Sequence, residues 1–74
     1  MGDAVRAFAV YAIRSTTRLG SRVTIAHALT PLDTDDDPCE LLARSRKLPG
    51  RIVVIRTSDG ARIAARLASP GDRP

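Results

Sequence analysis

The chain has 74 residues, of which 43% are hydrophobic and 27% are charged. This composition fits one small globular domain and excludes an intrinsically disordered protein. Lysine and arginine number 12 against 8 acidic residues, and the single cysteine and single histidine exclude a disulfide framework and zinc sites built from several thiolates or a histidine pair. The longest apolar run, residues 7–13, is far shorter than the about 20 residues of a membrane span, and no secretory signal is evident, so we expect a soluble cytoplasmic protein without membrane contact.

Two strands are predicted in the N-terminal half. Residues 5–15 are rich in strand formers, and residues 22–29 alternate apolar with polar side chains. Gly20 lies between the two runs, where the chain can turn from one strand into the next. The alternative for residues 5–15 is a helix capped by Asp3, because the apolar positions there also recur at a helical spacing. Residues 30–36 are predicted to form a loop.

A helix is predicted to begin at Pro38. Asp37 is a good N-cap, Pro38 fits the first helical position, and Glu40 lies three residues after the cap, as in a capping box. Pro49-Gly50 is a stop signal. The narrow apolar face of this helix consists of Leu41, Leu42, Ser45 and Leu48.

The C-terminal part is predicted to form a β-hairpin. A run rich in Ile and Val at residues 51–57 is followed by Asp59-Gly60, a strong hairpin signal because both positions tolerate a positive φ, and then by a returning strand. A two-residue turn at this point would place Val53 opposite Arg66. In that register Arg62 and Arg66 fall on the same side of the last strand.

These elements predict a single α+β domain over residues 1–68, in the order β-β-α-β-β, with one helix on an antiparallel sheet and a flexible tail at residues 69–74. If residues 5–15 are helical, the order becomes α-β-α-β-β. One short helix covers only one face of a four-stranded sheet, so the other face is expected to meet solvent, a second copy of the chain or another partner. The apolar residues assigned to that face and to partner contacts are Phe8, Val10, Val53 and Ile55.

Positive charge is expected to mark the functional surface. Five of the 8 acidic residues lie between Asp33 and Glu40, so the remainder of the chain has 12 basic residues against three acidic ones. A basic body with one acidic corner favours an anionic partner, and the arginine fork binds phosphate in bidentate fashion. The residues assigned to nucleic-acid contact are Arg22, Arg44, Arg46, Lys47, Arg51, Arg62 and Arg66.

Motifs for catalysis and metal binding are absent from the sequence. The acidic run at residues 33–37 lacks the Gly and Glu that a calcium loop needs at its sixth and twelfth positions. Cys39 has no second cysteine to pair with, and His27 lies on a different predicted element, so a catalytic pair is not indicated. Glycine-rich phosphate loops are also missing. We therefore predict no catalytic residues, no metal and no cofactor.

The expected function is that of a small basic binding module without enzymatic activity, which contacts nucleic acid or a nucleoprotein complex through an arginine-rich face. The alternative is a protein-binding inhibitor, adaptor or small subunit, of the kind that phages and mobile elements encode, or a homodimer. In that case the acidic corner, with Asp35 and Asp36, and the half-apolar sheet face would be the contact surfaces. The two functions differ in salt dependence, since phosphate contacts weaken steeply as salt rises.

Overall fold

The computed structural model describes residues 6–67 and shows one helix packed on an antiparallel sheet. In chain order the elements are β1 (Phe8–Leu19), β2 (Arg22–His27), β3 (Asp33–Asp35), α1 (Pro38–Ser45), β4 (Ile52–Arg56) and β5 (Arg62–Arg66). The sheet order is β2-β1-β4-β5, with β3 beside the first residues of β1. The predicted α+β class is confirmed, and β1 decides the ambiguous segment in favour of a strand. Asp3 and the predicted tail lie outside the described residues.

Strand β3 occupies a segment that the sequence predicts as a loop. It pairs with the start of β1, where Asp35 lies opposite Phe8 and Asp33 opposite Val10. Its acidic side chains give no strand pattern, so the sequence carries no local signal for it. The strand forms because β2 pairs with β1 only from Ile13 onward, which leaves the earlier edge of β1 open for another strand.

Strand β1 is 12 residues long and serves two different parts of the molecule. Its first part, up to Ala12, pairs with β4 on one side. Beyond Ile13 its only partner among residues 6–67 is β2, which it joins across a bulge between Ile13 and Ser15. The β1–β2 hairpin therefore leaves the sheet as a two-stranded ribbon, residues 14–26, which we call the arm. The molecule is accordingly elongated, with extents of 44 × 25 × 18 Å.

Helix α1 begins at the predicted residue. Asp37 Oδ1 accepts hydrogen bonds from the amides of Cys39 at 2.9 Å and Glu40 at 3.4 Å, and Pro38 occupies the first turn. A complete capping box also requires the Glu40 side chain to accept a hydrogen bond from the amide of Asp37. This part of the prediction is wrong, because that amide donates to Asp35 Oδ1 at 2.9 Å. Within residues 6–67, no helix is long and apolar enough to cross a membrane.

The end of α1 differs modestly from the prediction. The α-helix stops at Ser45, and the chain continues through two tighter turns in which the amides of Lys47 and Leu48 donate to carbonyls three residues earlier, both at 3.1 Å. Gly50 then adopts φ +77°, a conformation that favours glycine. The chain thereby reverses toward β4 one residue after Pro49.

The hydrophobic core lies between α1 and one face of the sheet, which we call the inner face. Val10, Leu41, Ile52 and Val54 form its centre, and none of these side chains is more than 4% exposed. The partly buried residues packed against this centre are Phe8, Leu42, Leu48 and Ala64. The predicted apolar face of the helix thus points into the core, where burial of aliphatic area supplies most of the stabilisation.

Phe8 and Val10 lie on the inner face, which corrects their assignment to the uncovered one. The register places Val10 opposite Val54 and Phe8 opposite Arg56, and opposed residues share a face. The sequence does not decide this, because both alternating sets of side chains in β1 are apolar. On the other face Val53 is only 2% exposed. Of the four residues assigned to the uncovered face, Phe8 and Val10 therefore lie on the inner face, Val53 is buried, and Ile55 is a half-buried outer residue.

The β4–β5 hairpin is shifted from its predicted register. Four residues form the connection, because the amide of Arg56 donates to the carbonyl of Ala61 at 2.8 Å. A register irregularity then follows, with Ile55 opposite Arg62 but Val54 opposite Ala64, which leaves Ile63 as the extra residue. As a result Arg66 lies opposite Ile52 and not opposite Val53.

Candidate nucleic-acid interface

Arg44 is held by the acidic stretch and does not face an external anion. Its Nε lies 2.8 Å from Asp33 Oδ2, and its Nη1 lies 2.8 Å from Asp35 Oδ2. A hydrogen bond from Arg44 lowers the pKa of Asp33, while the pKa of Asp35 is lowered first by the amide of Asp37 and then by Arg44. The two carboxylates in turn raise the pKa of Arg44. Arg44, predicted to contact nucleic acid, therefore fastens α1 to β3.

The remainder of the acidic stretch also makes contacts within the chain. Asp36 Oδ1 accepts a hydrogen bond from the amide of Ala7 at 2.9 Å, and its Oδ2 lies 3.5 Å from Arg6 Nη1. The two residues predicted to contact a protein partner differ in access, since the side chain of Asp36 is 68% exposed and that of Asp35 is 21% exposed. The acidic corner thus links the start of β1 to the start of α1.

A fourth ion pair closes the turn between β4 and β5. Arg56 Nη2 lies 2.7 Å from Asp59 Oδ2, and Arg56 Nε donates to Asp59 Oδ1 at 3.0 Å. The hydrogen bond from Arg56 lowers the pKa of Asp59 to about 2. Within residues 6–67, the cations that pair with carboxylates are Arg6, Arg44 and Arg56. Each of these pairs removes an arginine from the set that could bind phosphate.

Arg62 and Arg66 do not form the predicted row on one side of β5. Arg66 lies on the inner face, where its Nε donates to the carbonyl of Gly50 at 2.9 Å and its Nη2 donates to the carbonyl of Leu48. Arg62 lies opposite Ile55 on the outer face and is exposed. The residue left over at the hairpin irregularity separates the two arginines onto opposite faces. Arg66 therefore has a structural role, and of these two arginines Arg62 is the one that remains a candidate for anion contact.

Three further predicted residues lie between the end of α1 and the start of β4. Arg46 and Lys47 are exposed, and Arg51 is half-buried. None of them forms an ion pair with another residue in the range 6–67. They stay candidates for phosphate contact on the body of the molecule.

The arm carries a second group of three cations, all of them arginines. Arg14, Arg18 and Arg22 are all exposed, and none pairs with a carboxylate of the described part of the chain. The sequence contains no acidic residue between Asp3 and Asp33. Because the arm projects from the sheet, these guanidinium groups can reach a partner without desolvating the body of the protein.

The sequence-based prediction includes Arg22 but misses Arg14 and Arg18. The available signal was the acid-free interval itself, with arginines distributed on both sides of Gly20. Weighting arginines by their distance in sequence from acidic residues would have selected the arm. It would also have reduced the weight of Arg44, which is four residues from Glu40.

A groove of about 260 Å³ lies between α1 and β5. The residues lining it are Leu42, Ser45, Arg46, Ile52, Val54, Ala64, Ala65 and Arg66. The groove exists because the alanines of β5 are too small to fill the space beside the helix. The hydroxyl group of Ser45 in this lining already has a partner within the chain, since its Oγ donates to the carbonyl of Leu42 at 2.8 Å. The lining is therefore aliphatic with cationic groups.

Neither His27 nor Cys39 belongs to a catalytic arrangement in the described part of the molecule. The ring of His27 lies 4.6 Å from that of Tyr11, and its Nδ1 lies 3.1 Å from the carbonyl oxygen of Ala28. Cys39 is exposed in the first turn of α1, on a different element. No group of three His, Cys, Asp or Glu side chains between residues 6 and 67 is arranged to hold a metal ion.

No family model, curated protein or solved structure matches this chain. The candidate interface therefore rests on the geometry and charge of the arm and the body.

Proposed function

We propose that this protein is a small binding module without enzymatic activity that contacts nucleic acid, free or in a nucleoprotein complex, and that the arm is its principal contact element. A cytoplasmic location accompanies this proposal. The observation that carries it is the separation of charge: the acidic corner is compensated by Arg44 and Arg6, whereas Arg14, Arg18 and Arg22 project without a compensating carboxylate among residues 6–67. Arginines in this state are the residues that bind phosphate groups.

The electrostatics of the whole chain support the same function. The net charge of the chain is +4. The ion pairs join acidic residues to arginines of the body and not to arginines of the arm. A positive field at one end of an elongated molecule steers it toward a polyanion and raises the association rate. Arg46, Lys47, Arg51 and Arg62 would add contacts where the body meets the same backbone.

The test is the salt dependence of binding. Affinity for a fluorescent DNA or RNA oligonucleotide is measured by anisotropy between about 50 and 200 mM salt, where phosphate contacts dominate the slope. Replacement of Arg18 and Arg22 by Ala should reduce the slope of log affinity against log salt by about 2, one unit for each lost phosphate contact.

The matched control is the double variant Arg6→Ala with Arg56→Ala. It removes the same number of positive charges, but both arginines are paired with carboxylates. Its slope should stay close to that of the wild-type protein. Equal slopes for the two double variants would argue against the arm as the contact element, and absence of binding to any nucleic acid at low salt would reject the function.

A second candidate function, the binding of a protein partner, is favoured by a different observation. Strand β5 ends the sheet order, its side chains Ile63 and Leu67 are 40% and 41% exposed, and the aliphatic groove lies beside it. A sheet edge with adjacent apolar surface can accept an added strand. Binding of that kind would weaken little with salt, so the salt titration of a captured partner separates it from phosphate binding.

A further inference from the structure

The kind of nucleic acid can be inferred from the shape and charge of the arm, an inference that rests on the proposed function. The arm is a two-stranded antiparallel ribbon in which Thr17 lies opposite Thr24 and Leu19 lies opposite Arg22. Opposed residues share a face, so the two faces of the ribbon can be read from the register.

The two faces of the arm differ in accessibility. We call one the Thr17 face, and all its members are exposed: Ser15, Thr17, Leu19, Arg22, Thr24 and Ala26. The other face carries Thr16 and Arg18, which are exposed, opposite Ile25 and Val23, which are half-buried. Only the Thr17 face is open to a ligand along its whole length.

The dimensions of a β-ribbon select among the grooves of nucleic acids. Neighbouring strands lie about 4.8 Å apart, and with side chains the ribbon matches the major groove of B-form DNA, which is about 12 Å wide. The minor groove, about 6 Å wide, is too narrow for it. The major groove of A-form RNA is deep and narrow and does not admit such an element.

Single-stranded nucleic acid fits the arm poorly. Proteins that bind single strands stack the bases on aromatic side chains, and each stacked base contributes about 1–3 kcal/mol. Residues 14–26 contain no Phe, Tyr or Trp. The arm therefore offers charge to the phosphates but no platform for unstacked bases.

We infer that the arm binds B-form duplex DNA with its Thr17 face toward the floor of the major groove. Hydroxyl groups of Thr17 and Thr24 can donate to or accept from base edges, and the Arg22 guanidinium matches the two acceptors of guanine. Arg18 lies on the opposite face near the same end, and its long side chain can extend around the edge of the ribbon to the phosphate backbone that borders the groove. Leu19 lies beside Arg22 at the tip and is 73% exposed, so it can meet thymine methyl groups.

The first experiment compares three fluorescent oligonucleotides of one sequence: a DNA duplex, the corresponding RNA duplex and the DNA single strand. The duplex DNA should bind at least about tenfold more tightly than either alternative, a margin equal to one good base-edge contact. Methyl green, which occupies the major groove, should displace the protein, whereas distamycin, which occupies the minor groove, should not.

The second experiment uses two neighbouring substitutions of equal charge. Thr17→Asp and Thr16→Asp each add one carboxylate at an exposed position of the arm, but on opposite faces. Both should weaken binding through general repulsion of phosphates, and Thr17→Asp should weaken it about tenfold more because it also faces the bases. Circular dichroism melts check that both variants fold as the wild-type protein does.

Each result bears on one of the two proposals. Preference for the RNA duplex or the single strand, displacement by distamycin and not methyl green, or equal losses for the two aspartate variants would overturn the major-groove inference and leave nucleic-acid binding intact. Failure of all three oligonucleotides to bind would overturn the proposed function as well.

Discussion

Arg66 stabilises the junction between α1 and β4 by donating to main-chain carbonyls. Its guanidinium group bridges the carbonyl oxygens of Leu48 and Gly50, which follow the helix and would otherwise lack these partners. A charged donor that satisfies a partly buried acceptor contributes more than an exposed ion pair does. Arg66 thus acts on the fold, although its residue type is the one expected for phosphate binding.

Arg66→Ala should therefore destabilise the protein. We expect a loss of about 1–3 kcal/mol, because two hydrogen bonds from a charged group disappear. Arg62→Ala, four residues earlier on the same strand, removes an exposed side chain and should change stability by less than about 0.5 kcal/mol. Urea denaturation of both variants measures the difference, and equal midpoints would show that the Arg66 contacts contribute nothing.

Arg44 makes stability depend on pH in the acidic range. Its hydrogen bond keeps the pKa of Asp33 below the ordinary value of 3.8 in the folded chain, and it adds to the effect of the Asp37 amide, which is the first cause of the lowered pKa of Asp35. A carboxylate whose pKa is lowered by folding contributes stability above its unfolded pKa and loses it as the pH falls through the folded one. Part of the acid sensitivity of this protein should therefore arise at α1 and β3.

Arg44→Gln should make the free energy of unfolding less dependent on pH in the acidic range. The urea concentration at which half of the wild-type protein is unfolded should decrease as the pH is lowered from about 5 to about 2, because these carboxylates become protonated. The variant should be less stable at neutral pH and should lose less on acidification. Urea titrations at a series of pH values measure both quantities, and parallel pH profiles for the two proteins would contradict the assignment.

At the level of single elements, the β4–β5 hairpin depends on a turn whose geometry only glycine adopts easily. Gly60 has φ +73°, and its amide donates to the carbonyl of Arg56 at 2.7 Å. Asp59 reinforces the turn, since its Oδ1 accepts from the amide of Ala61 at 3.0 Å. The four-residue connection then leaves Ile63 unmatched in the ladder, and this sets which side chains of β5 reach the inner face.

Gly60→Ala should destabilise the hairpin by about 1–2 kcal/mol, the cost of a left-handed conformation for a residue with a Cβ. No atom lies within 4 Å of the position that a Cβ would occupy, so the cost is one of backbone strain and not of a clash. Gly60→Asn should cost less, because asparagine tolerates this conformation. If alanine and asparagine destabilise the protein equally in urea, backbone strain at this turn is not the cause.

The whole molecule combines a compact body with a projecting basic arm. The body buries aliphatic residues on both sides of β4, since Val54 is 1% exposed and Val53 is 2% exposed. Burial on both faces removes the apolar patch that favoured self-association. Positive charge on the arm further opposes the approach of a second copy.

We therefore expect the free protein to be a monomer at micromolar concentration. Size-exclusion chromatography with light scattering should give the mass of one chain, in the presence of a reductant because Cys39 is exposed. A stable dimer under these conditions would show that another surface, such as the edge of β5, mediates self-association. Repeating the measurement at higher salt shows whether charge repulsion or the burial of apolar residues keeps the chain monomeric, since charge repulsion weakens as the ionic strength rises.

What the sequence determined about this protein is what depends on residues close together in the chain. Asp37 and Pro38 specify the start of α1, because a cap acts on amides two and three residues away. Gly50 and Gly60 mark reversals, because a positive φ is a property of one residue. The α+β class followed from these signals and from the strand formers, as did the presence of arginine near Gly20.

Only the tertiary structure decided which face each strand presents and which cations are paired. Val10 faces α1 because it lies opposite Val54, 44 positions away, and nothing local in the apolar strand β1 chooses between its two faces. Arg44 meets Asp33 and Asp35 in the structure in which β3 is paired with β1. The arm emerges as the charged element for the same reason: Arg6 and Arg44 meet carboxylates on chain segments that folding brings together, whereas no carboxylate within residues 6–67 pairs with the arginines of the arm.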